Sequence, residues 1–249
     1  MAEIIIKTEE EIKLMREAGK LAARILKMVG ESAKAGVSTK ELDNLAAREI
    51  SRAGAKASFL GHAGYPASIC TSVNNAVVHG IPSEQELRDG DIVGIDLGVY
   101  FKGYHADTAI TIPVGEISSE KKKLIIITKR SLDEAIALIK PGKQLGDIQA
   151  AIQKTIEDAG FGVIRDLTGH GIGKDLQEFP PIPNYGKSGT GPILKEGMVL
   201  AIEPMVSEGD WHVKILKDGW TVVTADGLPS AHFEHTIAIR KEGAEILTK

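Results

Sequence analysis

Gly90-Asp-Ile-Val-Gly-Ile-Asp96-Leu-Gly-Val-Tyr-Phe-Lys102-Gly103-Tyr-His-Ala-Asp107-Thr-Ala-Ile-Thr-Ile112 decides the fold. Two apolar runs, 91–100 and 104–114, have strand length and strand composition, and Gly103 between them marks a hairpin. Asp96 and Asp107 stand eleven residues apart inside those runs. On paired antiparallel strands both can reach one face of the sheet as near neighbours. Two carboxylates that close repel each other, and burying either is costly without a cation. The surrounding runs offer almost no Lys or Arg to supply one.

Three more side chains share this awkwardness: His170 in Gly-His-Gly-Ile-Gly, Glu203 in Ala-Ile-Glu-Pro-Met and Glu234 in Phe-Glu-His-Thr-Ile. Any one alone suits an edge, a turn or a hydrogen-bonded core position. Together, four carboxylates and one imidazole form a hard, oxygen-rich ligand set. It is large enough for two divalent ions about 3.5–4 Å apart, shared by bridging carboxylates.

The rest of the chain frames that cluster. Its 249 residues are 43% hydrophobic, enough for one large domain or two small ones. A net charge of −4 favours neither nucleic acid nor membrane partners. One cysteine, Cys70, excludes an internal disulfide and suits a reducing compartment such as the cytoplasm. No apolar run has membrane-span length, and the N-terminus lacks a signal-peptide pattern.

Capping boxes at Thr8/Glu11 and Ser38/Glu41 open helices over 8–29 and 39–53, with Gly30 and Gly54 as stops. Further helices are expected over 119–140, cut by Pro141, and over 145–159, stopped by Gly160. Strands are expected at 68–73, 198–206, 211–217, 220–225 and 232–240, and Gly- and Pro-rich loop across much of 171–197. Lys34-Ala-Gly36 through Ala53-Gly54 matches Lys140-Pro-Gly142 through Ala159-Gly160 at a constant offset of 106. Asp96 follows Gly54 by 42 residues and Glu203 follows Gly160 by 43. Two related halves, about 1–115 and 116–249, would each send a carboxylate to one shared site.

Other chemistries find no support. The chain has no His-Glu-x-x-His, no cysteine pair for zinc and no Gly-x-Ser-x-Gly elbow. Gly169–Gly173 has the wrong spacing for a dinucleotide loop. Gly186-Lys187-Ser188 ends like a P-loop, but Pro181 stands where its first glycine belongs. Lys121–Lys123 reads as a solvated helix start.

Asn74-Asn-Ala-Val-Val-His79-Gly-Ile-Pro82, Gly90–Gly98, Gly169–Gly173, Ala201–Pro204 and Phe233–Thr236 resemble, in order and across nearly the whole chain, the motif series of the type I methionine aminopeptidases. The resemblance implies the α+β pita-bread fold, a single domain of two pseudo-symmetric halves with a curved antiparallel sheet covered by helices. It implies an enzyme that removes the initiator methionine from nascent N-termini; a cytoplasmic monomer, working near the ribosome, is the expectation set beside it. Lys214 and Lys217 are candidates for ribosome contact.

Two divalent ions (Mn, Fe, Co or Zn) are implied, with Asp96 on one, His170 and Glu203 on the other, and Asp107 and Glu234 bridging. A bridging water or hydroxide would attack the methionyl carbonyl. Glu203 would shuttle the proton, and His79 would hydrogen-bond the scissile amide. Tyr65, Cys70 and Trp220 match pocket positions, and Phe59, His62 and Leu176 match lining positions. The residue after the methionine must be small, so Met1-Ala2 would make the chain its own substrate. The absence of an N-terminal extension and the 31 residues from Glu203 to Glu234 resemble the short bacterial enzymes.

One position departs from the pattern. Where the family has a second histidine at the metal centre, this chain has Gln177, which can donate a hydrogen bond but carries no charge near neutral pH. The expectation is an active but slower enzyme, partly rescued if His62 points inward. The competing readings are an Xaa-Pro peptidase or creatinase-like hydrolase on the same fold, and a non-catalytic pita-bread binding module.

Overall fold

The computed structural model describes residues 3–249, so Met1 and Ala2 lie outside the described residues. Four helices, α1 (Glu9–Ser32), α2 (Thr39–Arg52), α3 (Ser119–Leu138) and α4 (Leu145–Glu157), accompany fifteen short strands. The first half holds β1 (Lys56–Ala57), β2 (Cys70–Val73), β3 (Ala76–Val78), β4 (Ile92–Phe101) and β5 (Tyr104–Pro113). The second holds β6 (Gly162–Val163), β7 (Thr168–Gly171), β8 (Glu178–Pro183), β9 (Val199–Ile202) and β10 (Met205–Ser207). It continues through β11 (Val213–Ile215), β12 (Val222–Thr224), β13 (Ser230–His232), β14 (Glu234–Arg240) and β15 (Gly243–Ile246).

The main sheet runs β1-β4-β5-β14-β9-β7-β8, with β2 also on β4 and β15 also on β14. Every pairing is antiparallel. Two three-stranded sheets, β13-β10-β6 and β11-β12-β3, flank it.

The β4–β5 hairpin turns on Lys102 and Gly103, both with positive φ (51° and 90°), the geometry whose twist matches paired strands. Period-2 alternation then divides β4. Val93, Ile95, Leu97 and Val99 are buried against α1 and α2 in one core cluster, while Asp96 faces the other way. In the second half, Leu200, Ile202, Ile237 and Ile239 pack under α3 and α4 in a second cluster. The helices thus cover one face of the sheet and leave the other for the site.

Both capping boxes form as expected. Gly30 does not end α1, which continues to Ser32. Its role is close approach, since a Cβ there would meet Ile110 Cδ1 at 3.0 Å. The 198–206 run is split into β9 and β10 around Glu203-Pro204. The 171–197 stretch is not all loop: Glu178–Pro183 adds edge strand β8 despite three prolines, one after a cis peptide at Phe179–Pro180. An edge strand needs only one ladder, so a missing N–H is tolerated there.

The internal repeat reappears in the backbone. Gly36 N–H donates to Leu87 O and Leu87 N–H to Val37 O, while Gly142 N–H donates to Leu194 O and Leu194 N–H to Lys143 O. The isolated bridges Ser38–Glu86 and Gln144–Ile193 repeat the same correspondence.

Candidate metal centre

Five neighbouring strand positions each contribute one ligand candidate. Asp96 lies in β4, Asp107 in β5, Glu234 opens β14, Glu203 follows β9, and His170 lies in β7. Those strands are consecutive in the sheet. Register sets the side chains in two rows. Asp96 pairs with Ala109, which pairs with Glu234. Glu203 stands one step beyond the His235–Ile202 pair, on the same row. The second row runs Gly98, Asp107 on one side and Ala201, His170 on the other. Thr236 joins them, pairing with Ala201 and exchanging hydrogen bonds with the Asp107 backbone at 2.8 and 2.9 Å. The small residues between the ligands leave room above the sheet. Gly171, beside His170, is obligatory for another reason: a Cβ there would sit 2.6 Å from Phe179 O.

The electrostatics demand a cation. Asp107, His170 and Glu234 are buried, and Asp96 and Glu203 are half-buried. Among the described residues no Lys or Arg pairs with any of the four carboxylates; the only ionic neighbours are His170 and His232, both beside Glu203. Burial pushes all four acids up, with mutual repulsion adding to it at Asp96, Glu203 and Glu234. Asp107 is raised to about 7. Asp96 Oδ1 and Glu234 Oε1 are buried without a hydrogen-bond partner. Orphaned buried oxygens of this kind require an explanation.

His170 adds a directional clue. Its Nδ1 lies 2.8 Å from Gly171 O and can only donate there. Its Nε2 therefore carries the lone pair, yet faces Glu203 Oε1 at 3.5 Å. A lone pair toward a carboxylate is repulsive unless a cation lies between them. The backbone carbonyl also fixes the tautomer, as metal-ligating histidines require. Ligand atoms of Asp107, His170 and Glu234 all lie within 4.8 Å of one another. The donor set fits divalent metal.

A cavity of about 270 Å³ opens beside this cluster. All five ligand candidates line it, together with His79, Gln177, Tyr65, Cys70, Trp220, Phe59, His62 and Leu176. Tyr65 stacks edge-on against Trp220 (5.1 Å) and Phe59 (6.5 Å), and its hydroxyl donates to the carbonyls of Ile69 or Gly80. Burial and the Asp96 carboxylate raise the Cys70 thiol, so it is neutral and apolar in character. His79 occupies a left-handed conformation (φ 58°), the kind of backbone strain that concentrates at functional sites, and burial lowers its pKa. Gln177 and His62 are exposed at the rim. His62 is one of the residues lining the cavity mouth.

The sequence reading missed other wall residues: Val78, Asp166, Leu167, Thr168 and Met205. Thr168 precedes Gly-His-Gly and Met205 follows Glu-Pro, so adjacency to the motifs was the available signal. His232, behind Glu203, was missed as well.

The comparisons agree with this geometry. The model of metallopeptidase family M24 matches residues 13–241. The chain is 52% identical to methionine aminopeptidase 1 of Bacillus subtilis over 99% of both chains, and 52% identical to the methionine aminopeptidase of Clostridium perfringens over 98% of both. The crystal structure of Thermotoga maritima methionine aminopeptidase superposes with a TM-score of 0.98 at 48% identity, covering 99% of this chain and 100% of that one. Prolidase from Pyrococcus furiosus superposes at 0.78 and 26% identity, but this chain covers only 65% of it. The α+β pita-bread fold expected from the motifs is the fold observed. The chain belongs to metallopeptidase family M24, on its methionine aminopeptidase branch.

Proposed function

We propose that the chain is a methionyl aminopeptidase that removes the initiator methionine from nascent proteins with a small second residue. The observation that carries this is that one cavity joins five ligand candidates, drawn from both halves, to a largely apolar wall of Tyr65, Cys70, Trp220 and Phe59. That cavity suits an unbranched thioether side chain. Residues 1–249 act as one catalytic domain with halves near 1–115 and 116–249.

We assign Asp96 to one divalent ion, His170 and Glu203 to a second, and Asp107 and Glu234 to both. Strand order supports this division, because β5 and β14 lie between β4 on one side and β9 and β7 on the other. The ions, Mn, Fe, Co or Zn, supply Lewis acidity when bound: they polarise the scissile carbonyl and lower the pKa of the attacking water. Glu203 takes the water's proton and returns it to the leaving amine. His79, kept neutral by burial, donates a hydrogen bond at the scissile amide. Tyr65, Cys70, Trp220, Phe59 and Leu176 hold the side chain, and His62 and Gln177 contact substrate from the rim.

The deciding experiment is hydrolysis of Met-Ala-Ser after chelation and after return of each metal. Activity should vanish with chelator and return with metal. Preference for Ala-Pro would instead favour an Xaa-Pro peptidase, and metal binding without hydrolysis would favour a binding module. Identity of 52% to a methionine aminopeptidase against 26% to a prolidase weighs against the first.

We place the enzyme in the cytoplasm as a monomer. A buried free Cys70 suits a reducing compartment, and among the described residues no helix is long and apolar enough to cross a membrane. Lys214 and Lys217 are exposed around β11 and available to a polyanion such as the ribosome. Charge reversal at both should weaken cosedimentation with ribosomes; unchanged cosedimentation removes this assignment.

A further inference from the structure

Glu203 is flanked by two imidazoles, and only one of them has been given a task. His232 ends β13, two residues before Glu234, and is 3% exposed. It is not among the cavity-lining residues, so it does not reach substrate. Its Nε2 is buried with no hydrogen-bond partner and faces Glu203 Oε2 at 3.7 Å. The other Glu203 oxygen, Oε1, faces His170 Nε2 at 3.5 Å.

The two rings differ in what their second nitrogen does. His170 Nδ1 donates to Gly171 O, which commits its Nε2 to a lone pair. His232 Nε2, by contrast, has no hydrogen-bond partner among the described residues. A neutral imidazole offers one donor and one acceptor.

The backbone under His232 is fixed. Its N–H donates to Thr111 Oγ1 at 2.8 Å, and that hydroxyl donates back to His232 O at 2.8 Å. Pairing with Met205 ties it to β10, just past Glu203. The ring is thus held in place beside Glu203 with an unused nitrogen. A buried orphan nitrogen is costly, and an ionised carboxylate is its strongest available acceptor.

We propose that His232 is a positioning residue for Glu203, donating from Nε2–H to Oε2 of the ionised carboxylate once the centre holds metal. The bond would leave Oε1 directed at the ion that His170 serves. It would also fix the oxygen that handles the proton. This rests on the metallopeptidase reading of the centre.

The test uses the full-length protein loaded with zinc. Long-range ¹H–¹⁵N correlation of the histidine rings should show His232 protonated at Nε2; an Nε2 without a proton overturns the proposal. Calorimetric zinc titration of His232→Phe should show affinity weakened by about 10–100-fold, the usual effect of losing an outer-shell partner. His232→Gln keeps an N–H donor and should restore most of it. Equal weakening in both variants, or none in either, overturns the proposal. On Met-Ala-Ser, His232→Phe should lower kcat and leave KM nearly unchanged; a change confined to KM counts against it. If His232→Phe does not fold, the ring tautomer in the wild type decides alone. If the wild type takes up no zinc, the metal reading itself fails, and this proposal with it.

Discussion

At the residue scale, Gln177 is where this chain departs from the pattern it otherwise follows. It sits exposed at the cavity rim beside buried Leu176. An amide can donate a hydrogen bond but cannot become cationic as negative charge develops. Complete loss of a transition-state donor costs about 10²–10³ in rate, which bounds the effect of losing only the charge. Gln177→His should therefore raise kcat on Met-Ala-Ser, by up to that range if nothing else compensates. A variant no faster than wild type removes the account.

Asp107 carries a second residue-scale prediction. Burial raises its pKa from 3.8 to about 7 in the metal-free fold, so the folded chain binds a proton that the unfolded chain releases. Stability from this group is full below pH 3.8 and is lost as pH climbs through about 7. Metal-free protein should thus lose stability from pH 3.8 up to about 7 relative to Asp107→Asn, as read by urea midpoints. Parallel profiles for the two would mean that Asp107 ionises freely in the fold. The ligand identities were legible because buried acids in apolar runs contradict their surroundings. His232 was not, because a histidine near a strand end contradicts nothing.

Elements were legible where local chemistry and tertiary context agree. Thr8/Glu11 and Ser38/Glu41 named both helix starts, and Lys102-Gly103 named the central hairpin. β8 was hidden because Pro180, Pro181 and Pro183 read as loop, and only edge placement makes them tolerable. β1, β6 and β15 are too short to carry a period.

The Gly173–Glu178 loop shows what holds an element with no ladder of its own. Glu178 forms an ion pair with Lys7, both side chains almost fully buried (4% and 3% exposed). It also accepts from Lys174 N–H at 3.0 Å. His105 N–H donates to Gly173 O at 2.8 Å. The segment bearing Leu176 and Gln177 is therefore pinned from the irregular segment that precedes α1. Removing one partner of a buried pair strands the other and costs about 3–5 kcal/mol. Lys7→Met should lose stability on that scale in urea unfolding, and KM for Met-Ala-Ser should rise. A loss under about 1 kcal/mol would show that the backbone bonds hold the loop without Lys7.

At the scale of the whole molecule, the two halves keep separate helix-covered cores but share one cluster of charge. Asp96 and Asp107 come from the first half, and His170, Glu203 and Glu234 from the second. Each half alone would bury acids that nothing neutralises. An ion bound between them removes that cost only in the folded chain, because the unfolded chain scatters the five ligands over 139 positions, from Asp96 to Glu234 counted inclusively. Binding to the folded state alone stabilises by about 2.7 kcal/mol at a free metal concentration 100 times Kd. Thermal unfolding should therefore shift upward with metal concentration and fall back with chelator. The same metal should produce a smaller shift in Asp96→Asn and in Glu203→Gln, since these remove a ligand from opposite halves. If one of those variants keeps the full shift while the other loses it, a single half holds the ion, and the junction between halves owes its stability to packing instead.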